Sequence, residues 1–241
     1  MNDGLTLQFS SGRSGLSGLN SINRELMKIG VRVSIVPLID ESLALLDLST
    51  ARDCSALDHD QKQELLKLYV LDRSALLEQI ALAGRQPACP DGGELVTAES
   101  GVPPYPKVYD LKEMGPQGQV DAQLKFGRFH FNSTAAGQGV DEVMTLISGG
   151  PWTWFFANVR DGEMMKLSLG YVQRSLGAIR LSYPGLNPHG AFMQSIPSAN
   201  DSEGGLCIAQ IHGPREWLMQ YANLGANSWC DFSDSSKPLL L

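Results

Sequence analysis

The sequence predicts an α+β protein in which a mostly helical N-terminal region precedes an antiparallel β domain. Capping aspartates and apolar stripes at helical spacing occur before residue 85, and a Pro- and Gly-rich segment follows at 86–106. Beyond Lys107, short alternating runs separated by turn residues dominate the chain. We therefore assign residues 1–105 to a mainly helical N-terminal region with its linker and residues 106–241 to a β domain.

Length and composition indicate a globular protein. The chain has 241 residues, of which 43% are hydrophobic and 19% charged, enough to bury a sizeable core. The net charge of −7 and the absence of a Lys and Arg cluster argue against a nucleic-acid partner. The N-terminus lacks a signal-peptide pattern, and no stretch reaches the roughly 18 apolar residues of a membrane span. We expect a cytoplasmic protein with no membrane partner.

The N-terminal region shows three helix patterns and one strand pattern. Apolar residues recur at helical spacing over 20–29, and residues 31–36 then alternate as in a short strand. Asp58 and Asp72 each precede an apolar stripe and are placed to cap a helix, with Gln61 as the capping-box partner of Asp58. We attach no chemistry to these helices, because such stripes are ordinary packing surfaces.

The β domain is predicted from seven short runs with turns between them. The runs are 108–111, 124–131, 140–147, 152–159, 164–172, 178–181 and 206–211. Turns are predicted at 148–151, 160–162 and 184–185. Several short strands at this spacing favour a β-sandwich or a β-barrel.

Two segments of this domain resemble the metal-binding motifs of the cupin superfamily. Gly127 to Asn132 stands where the family has its His-x-His pair, and Glu142 is followed at the family's distance by Gly149. Further on, Pro184 to His189 keeps the family's proline-to-histidine spacing. The resemblance covers about half of the chain and implies a double-stranded antiparallel β-barrel.

The resemblance also implies a divalent-metal site formed by His130, Glu142 and His189. Residues two apart on a strand share a face, so His130 and Asn132 are expected to point the same way. Two imidazoles and one carboxylate suit Fe, Mn, Ni or Zn, with open positions left for a substrate. The alternatives are that His130 is a hydrogen-bonded barrel histidine and that Glu142 is a solvated carboxylate.

Departures from the family motifs suggest substrate-binding residues. Asn132 replaces the second histidine of the first motif, and Met193 replaces the asparagine of the second. With these two, Met144 and Trp154 are candidate substrate-binding residues, although core packing or a dimer interface is the alternative for Trp154. Arg180 would suit a carboxylate anchor if it faced inward, but we expect it to face outward.

Two functions follow as hypotheses. The first is a cupin-like small-molecule enzyme that uses a metal in a lyase, isomerase or dioxygenase reaction on a small polar or aromatic acid. The second is a non-catalytic cupin-like protein that binds a ligand or a partner and has lost its metal site. A β-sandwich unrelated to cupins is a third interpretation. A homodimer is also expected from the resemblance, because cupin barrels commonly pair.

Overall fold

The computed structural model describes residues 4–37, 39, 44, 57–90, 94–95, 106–172, 177–192 and 205–224. In chain order the elements are β1 (Thr6–Phe9), β2 (Leu16–Ser17), α1 (Leu19–Leu26), a 3₁₀ helix (Met27–Ile29), β3 (Arg32–Val36), α2 (His59–Lys67), α3 (Arg73–Leu82), β4 (Glu94–Leu95), β5 (Lys107–Asp110), α4 (Leu111–Phe126), β6 (His130–Ser133), β7 (Asp141–Asn158), β8 (Glu163–Val172), β9 (Ala178–Pro184), β10 (His189–Phe192), β11 (Leu206–Gly213) and β12 (Leu218–Tyr221).

The long strand β7 belongs to two antiparallel sheets. Its first half pairs with β9 and β11, and its second half pairs with β8 and β10. The strand order through its second half is β12-β6-β10-β7-β8-β1-β2. Among the described residues the terminal strands β12 and β2 each pair with a single neighbour. In the part of the chain that the structure describes, the predicted β-barrel is therefore not closed, and its antiparallel strands form an open arrangement.

The turn predicted at 148–151 does not reverse the chain. These residues lie inside β7, where the register with β8 shifts between Gly149 and Trp152 and again at Thr153. Gly149 and Gly150 have positive φ angles of 76° and 133°, which residues with a Cβ rarely adopt. The glycines therefore bend the strand from one sheet into the other, as bulges commonly do.

The N-terminal region contributes strands as well as helices. The three predicted helices are present as α1 with its 3₁₀ extension, α2 and α3, and the predicted strand is present as β3. β1 pairs with β8, β3 with β9, and β4 with β11. In the described part of 1–105, the chain thus extends both sheets of the second half.

The strand predicted at 124–131 is wrong over its first half. The chain there forms the end of α4, and only β6 follows as a strand. This helix is kinked at Gly115, whose φ of 63° is not helical, and Pro116 follows directly. The Gly-Pro pair conceals the helix in the sequence, because both residues ordinarily interrupt one.

The main core joins side chains of both sheets with the inner face of α1. Its largest fully buried members include Trp152, Trp154, Phe156, Ile22 and Leu26. Each such side chain contributes about 1.5–3 kcal/mol through burial. None of the helices that the structure describes is long and apolar enough to cross a membrane.

Candidate functional site

A cavity of about 220 Å³ lies within the β domain, with buried polar side chains in its wall. We call five of them the polar cluster: His130, Asn132, Glu142, Tyr183 and His189. All five are less than 8% exposed. Buried polar groups without a structural task are uncommon, so the cluster is the candidate functional site.

Strand register brings the cluster together. His130 and Asn132 lie on one face of β6, and His189 of β10 stands opposite His130 in the pairing of these two strands. Glu142 of β7 stands opposite Tyr183 of β9. The two imidazole rings have their centroids 4.4 Å apart. The three residues predicted as metal ligands and Asn132 are therefore brought to one place.

Both histidines have the same hydrogen-bonding arrangement. Nδ1 of His130 lies 2.8 Å from the carbonyl oxygen of Arg128, and Nδ1 of His189 lies 2.8 Å from that of Asn187. A carbonyl only accepts, so Nδ1 carries the proton and Nε2 keeps its lone pair. Burial lowers the pKa of His130 to about 3 and that of His189 to about 4, so both rings are neutral near pH 7.

Glu142 accepts hydrogen bonds on both oxygens. The Asn132 amide donates to Oε1 at 2.6 Å, and the Tyr183 hydroxyl donates to Oε2 at 3.2 Å. Burial raises the pKa of Glu142, while the hydrogen bond from Asn132 and the neighbouring His130 oppose that rise. Burial likewise raises the pKa of Tyr183, which stays a neutral donor.

The cluster contains more acceptors than donors. Nε2 of His189 faces Oε1 of Glu142 at 3.5 Å, and neither atom carries a proton when Glu142 is ionised. Asn132 Oδ1 is buried without a hydrogen-bond partner among the described residues. A proton on Glu142 or a bound cation would supply what these acceptors lack.

The structure brings two of the candidate substrate-binding side chains to the cavity beside Asn132. Met144 and Trp154 line it, although Trp154 also belongs to the main core, while Met193 lies outside the described residues. Arg180 is buried rather than outward, and it donates to the Thr145 hydroxyl instead of lining the cavity.

Sequence reasoning missed several polar residues that line the cavity, among them Tyr183, Lys107 and Lys125. Tyr183 falls between the predicted strand at 178–181 and the predicted turn at 184–185, Lys107 marks the start of the predicted β domain, and Lys125 lies in the strand predicted at 124–131. The spacing of residues along the chain carries no signal for them, because strand register and the hidden helix α4 bring them to the site.

No three His, Cys, Asp or Glu side chains in the part of the chain that the structure describes form a group able to hold a metal ion as they stand. Closing His130, Glu142 and His189 around one ion would therefore require movement of at least one side chain.

Comparison with known proteins finds a likeness to a solved structure in fold alone. No family model and no curated protein matches the sequence. A solved structure that does match is acireductone dioxygenase from Bacillus anthracis, with a cadmium ion in its active center. The match has a TM-score of 0.53 and 14% sequence identity, and it covers 92% of this chain and 100% of that one. Since that dioxygenase is a cupin-fold protein, the likeness supports a cupin-type fold for this chain.

Proposed function

We propose that this protein is a cupin-like enzyme that acts on a small molecule in the cavity with a divalent metal held by His130, Glu142 and His189. The metal would be Fe, Mn, Ni or Zn, and the reaction would be of the lyase, isomerase or dioxygenase class. The observation that carries the proposal is the acceptor pair formed by His189 Nε2 and Glu142 Oε1.

The spacing of this acceptor pair suits two ligands of one ion. Ligand atoms about 2.1 Å from a metal and about 110° apart lie about 3.4 Å from each other. His189 Nε2 and Glu142 Oε1 are 3.5 Å apart, long for a hydrogen bond and close to that ligand spacing. The Nδ1 bond to a backbone carbonyl, found on both histidines, is the usual support of a metal-binding imidazole.

The donor chemistry also fits a divalent ion. Neutral imidazoles are the form that binds metal, and burial keeps His130 and His189 neutral over the ordinary pH range. The amide oxygen of Asn132 is a further oxygen atom that could bind the ion, and it has no hydrogen-bond partner among the described residues. The fold likeness to a dioxygenase whose active center holds cadmium adds support by analogy.

The chain's own residues would prepare the site for chemistry. Asn132 and Tyr183 orient the Glu142 carboxylate by donating to its two oxygens. Met144 and Trp154 line this part of the cavity with largely apolar surface. A bound divalent ion would supply Lewis acidity toward an oxygen of the substrate.

A ligand-binding protein without metal is the second candidate function. Asn132 stands where the cupin motif has a metal-binding histidine, and its amide occupies Glu142 Oε1 at 2.6 Å. The absence of a ready three-ligand group among the described residues favours the same interpretation. In that case a proton that stays on the Glu142 carboxyl would be the donor to His189 Nε2.

Elemental analysis by plasma mass spectrometry separates these two functions. The wild-type protein is purified without chelator, together with Glu142→Gln, which keeps the side-chain shape, and His189→Ala. His59→Ala is the matched control, since it removes an exposed imidazole at the start of α2. We expect an equimolar divalent metal in the wild type and the control, and its loss from the two site variants.

A wild-type protein that takes up no Fe, Mn, Ni or Zn, even after incubation with each metal salt, would overturn the metal-dependent function. Circular dichroism of Glu142→Gln shows whether that variant is folded, so loss of metal is not confused with loss of structure. Equal metal content in Glu142→Gln and wild type would place the metal elsewhere and would also refute the proposed ligands.

A further inference from the structure

Two lysines outside the polar cluster line the same cavity. Lys107 is the first residue of β5, and Lys125 lies in the last turn of α4. Neither forms an ion pair with any residue that the structure describes. Lys107 is half-buried and Lys125 is exposed, and both border this partly open pocket. Glu142 is a carboxylate that lines the same pocket, but neither lysine is paired with it.

Each ammonium group lies near an aromatic ring. Lys107 Nζ lies 5.0 Å from the centre of the Tyr109 ring, and Lys125 Nζ lies 5.2 Å from that of Phe126. The two rings pack edge to face with centroids 5.9 Å apart. Since the two rings are in contact and both line the cavity, the two lysines lie beside adjoining parts of its wall.

The charges of the two lysines act on each other and on the polar cluster. Burial lowers the pKa of Lys107, and the charge of Lys125 lowers it further. The charge of Lys125 also contributes to the lowered pKa of His130, after burial and His189. An anion bound by both lysines would relieve this repulsion and would compensate the charge of the half-buried Lys107.

We infer that the substrate is a small organic acid whose carboxylate binds to Lys107 and Lys125 while the rest of the molecule extends toward the polar cluster. This inference rests on the proposed function for the chemistry, but the anion subsite itself stands on the lysines alone. The cavity of about 220 Å³ is below the range of about 300–1,000 Å³ that holds drug-sized ligands. Its size fits a small acid.

The position of the subsite favours a carboxylate over a phosphate. Phosphate groups commonly bind at helix N-termini, where free N–H groups and the positive end of the helix dipole point at the anion. Lys125 lies instead in the last turn of α4, where the dipole is negative and cations are stabilised. The negative end of the helix dipole beside Lys125 therefore disfavours a doubly charged anion relative to a carboxylate.

Binding of matched acids and amides tests the subsite. The probes are acetate, propionate and benzoate, each compared with its neutral amide, and inorganic phosphate. Affinities are measured by ligand-observed NMR on wild type, Lys107→Met, Lys125→Met and the double variant. Methionine keeps most of the apolar stem and removes the charge. Lys112→Met is the matched control, because Lys112 is an exposed lysine of α4 that does not line the cavity.

We expect at least one acid to bind the wild type more tightly than its amide. Each single lysine variant should weaken that acid about tenfold, the usual effect of losing one charged hydrogen bond. The double variant should bind acid and amide equally, and Lys112→Met should match the wild type. The subsite is refuted if no acid is preferred over its amide, if the preference survives in the double variant, or if phosphate alone binds.

The same titration on Glu142→Gln keeps this inference separate from the proposed function. If acids bind through Lys107 and Lys125 but no preparation contains metal, the subsite stands and the metal-dependent enzyme fails. If metal binds at Glu142 but no acid is preferred over its amide, the enzyme stands and the acid substrate is wrong.

Discussion

A buried ion pair joins the N-terminal region to the strand that carries Glu142. Arg85, just beyond α3, pairs through Nη1 with Asp141, the first residue of β7, and its Nη2 donates to the Ser182 hydroxyl at 2.9 Å. The backbone N–H of Ala88 donates to the other oxygen of Asp141 at 2.7 Å. The side chains of Arg85 and Asp141 are 9% and 1% exposed.

Asp141→Asn should destabilise the protein strongly. The amide keeps the shape of the carboxylate but leaves the Arg85 guanidinium buried without its counter-charge. Burial already lowers the pKa of Arg85, and the charge of Asp141 is the main factor that opposes it. Breaking one partner of a buried pair ordinarily lowers the free energy of unfolding by about 3–5 kcal/mol. Arg85→Met should have a comparable effect, because it leaves the Asp141 charge unpaired.

The double variant Arg85→Met with Asp141→Asn should lose much less stability than the sum of the losses in the two single variants. Removing both charges also removes the desolvation penalty, so we expect a coupling energy of about 3 kcal/mol. Urea unfolding followed by tryptophan fluorescence measures each variant, since the chain has four tryptophans.

Glu64→Gln is the control for this cycle. It breaks an ion pair with Lys67 whose two side chains are 62% and 68% exposed, and it should change stability by less than about 1 kcal/mol. The argument is refuted if Asp141→Asn is as mild as this control, or if the two single effects simply add in the double variant.

Two further predictions concern local stability. The Arg13 guanidinium, bonded to Glu163 at 2.9 and 2.7 Å, lowers the pKa of that carboxyl below 4.5. Because the Arg13 side chain is 40% exposed, this ion pair stabilises the protein by less than about 1 kcal/mol. The stabilisation is complete above pH 4.5 and is lost as the pH falls through the lowered pKa of Glu163. The difference in urea unfolding between wild type and Arg13→Met should accordingly shrink between pH 7 and pH 3, and a constant difference would contradict this. Asp72→Ala should lower the free energy of unfolding by about 1 kcal/mol, because it removes the acceptor that the Ala75 N–H reaches at 2.8 Å. Asp72→Asn should keep most of this stability, because the amide oxygen can still accept that hydrogen bond.

The helices after Asp58 and Asp72 were predictable because their signals are local. Asp58 accepts from the Gln61 N–H at 2.9 Å, and the Gln61 side chain accepts from the Asp58 N–H at 3.0 Å. Both partners lie within four residues, so the sequence contains the whole interaction. The same holds for Gly30, which ends the first helical segment with a φ of 71°.

Elements that depend on distant contacts were not predictable in this way. Gly149, Gly150 and Pro151 are residues typical of a turn, yet they bend a strand that continues into a second sheet. Gly115 and Pro116 are typical of a loop, yet they kink a helix. In each case the flanking elements pack on both sides of the irregularity, and that tertiary packing overrides the local preference.

Convergence of the site was predictable in part. His130, Asn132, Glu142 and His189 were identified from spacing, and the structure brings them to one cavity. Tyr183 was missed because only the pairing of β7 with β9 sets it opposite Glu142.

The surplus of acceptors in the polar cluster connects the apoprotein with the proposed metal form. Burial raises the pKa of Glu142, and a proton on the carboxyl would give His189 Nε2 a donor in the absence of a cation. A divalent ion would replace this proton and satisfy the same atoms, so metal binding and ionisation of Glu142 are one coupled event. Asn132 suits both forms, because its amide N–H can donate to the carboxylate while its Oδ1, which has no partner among the described residues, can accept. The replacement of the motif's second histidine by Asn132 is therefore compatible with a site that exchanges a proton for a metal ion.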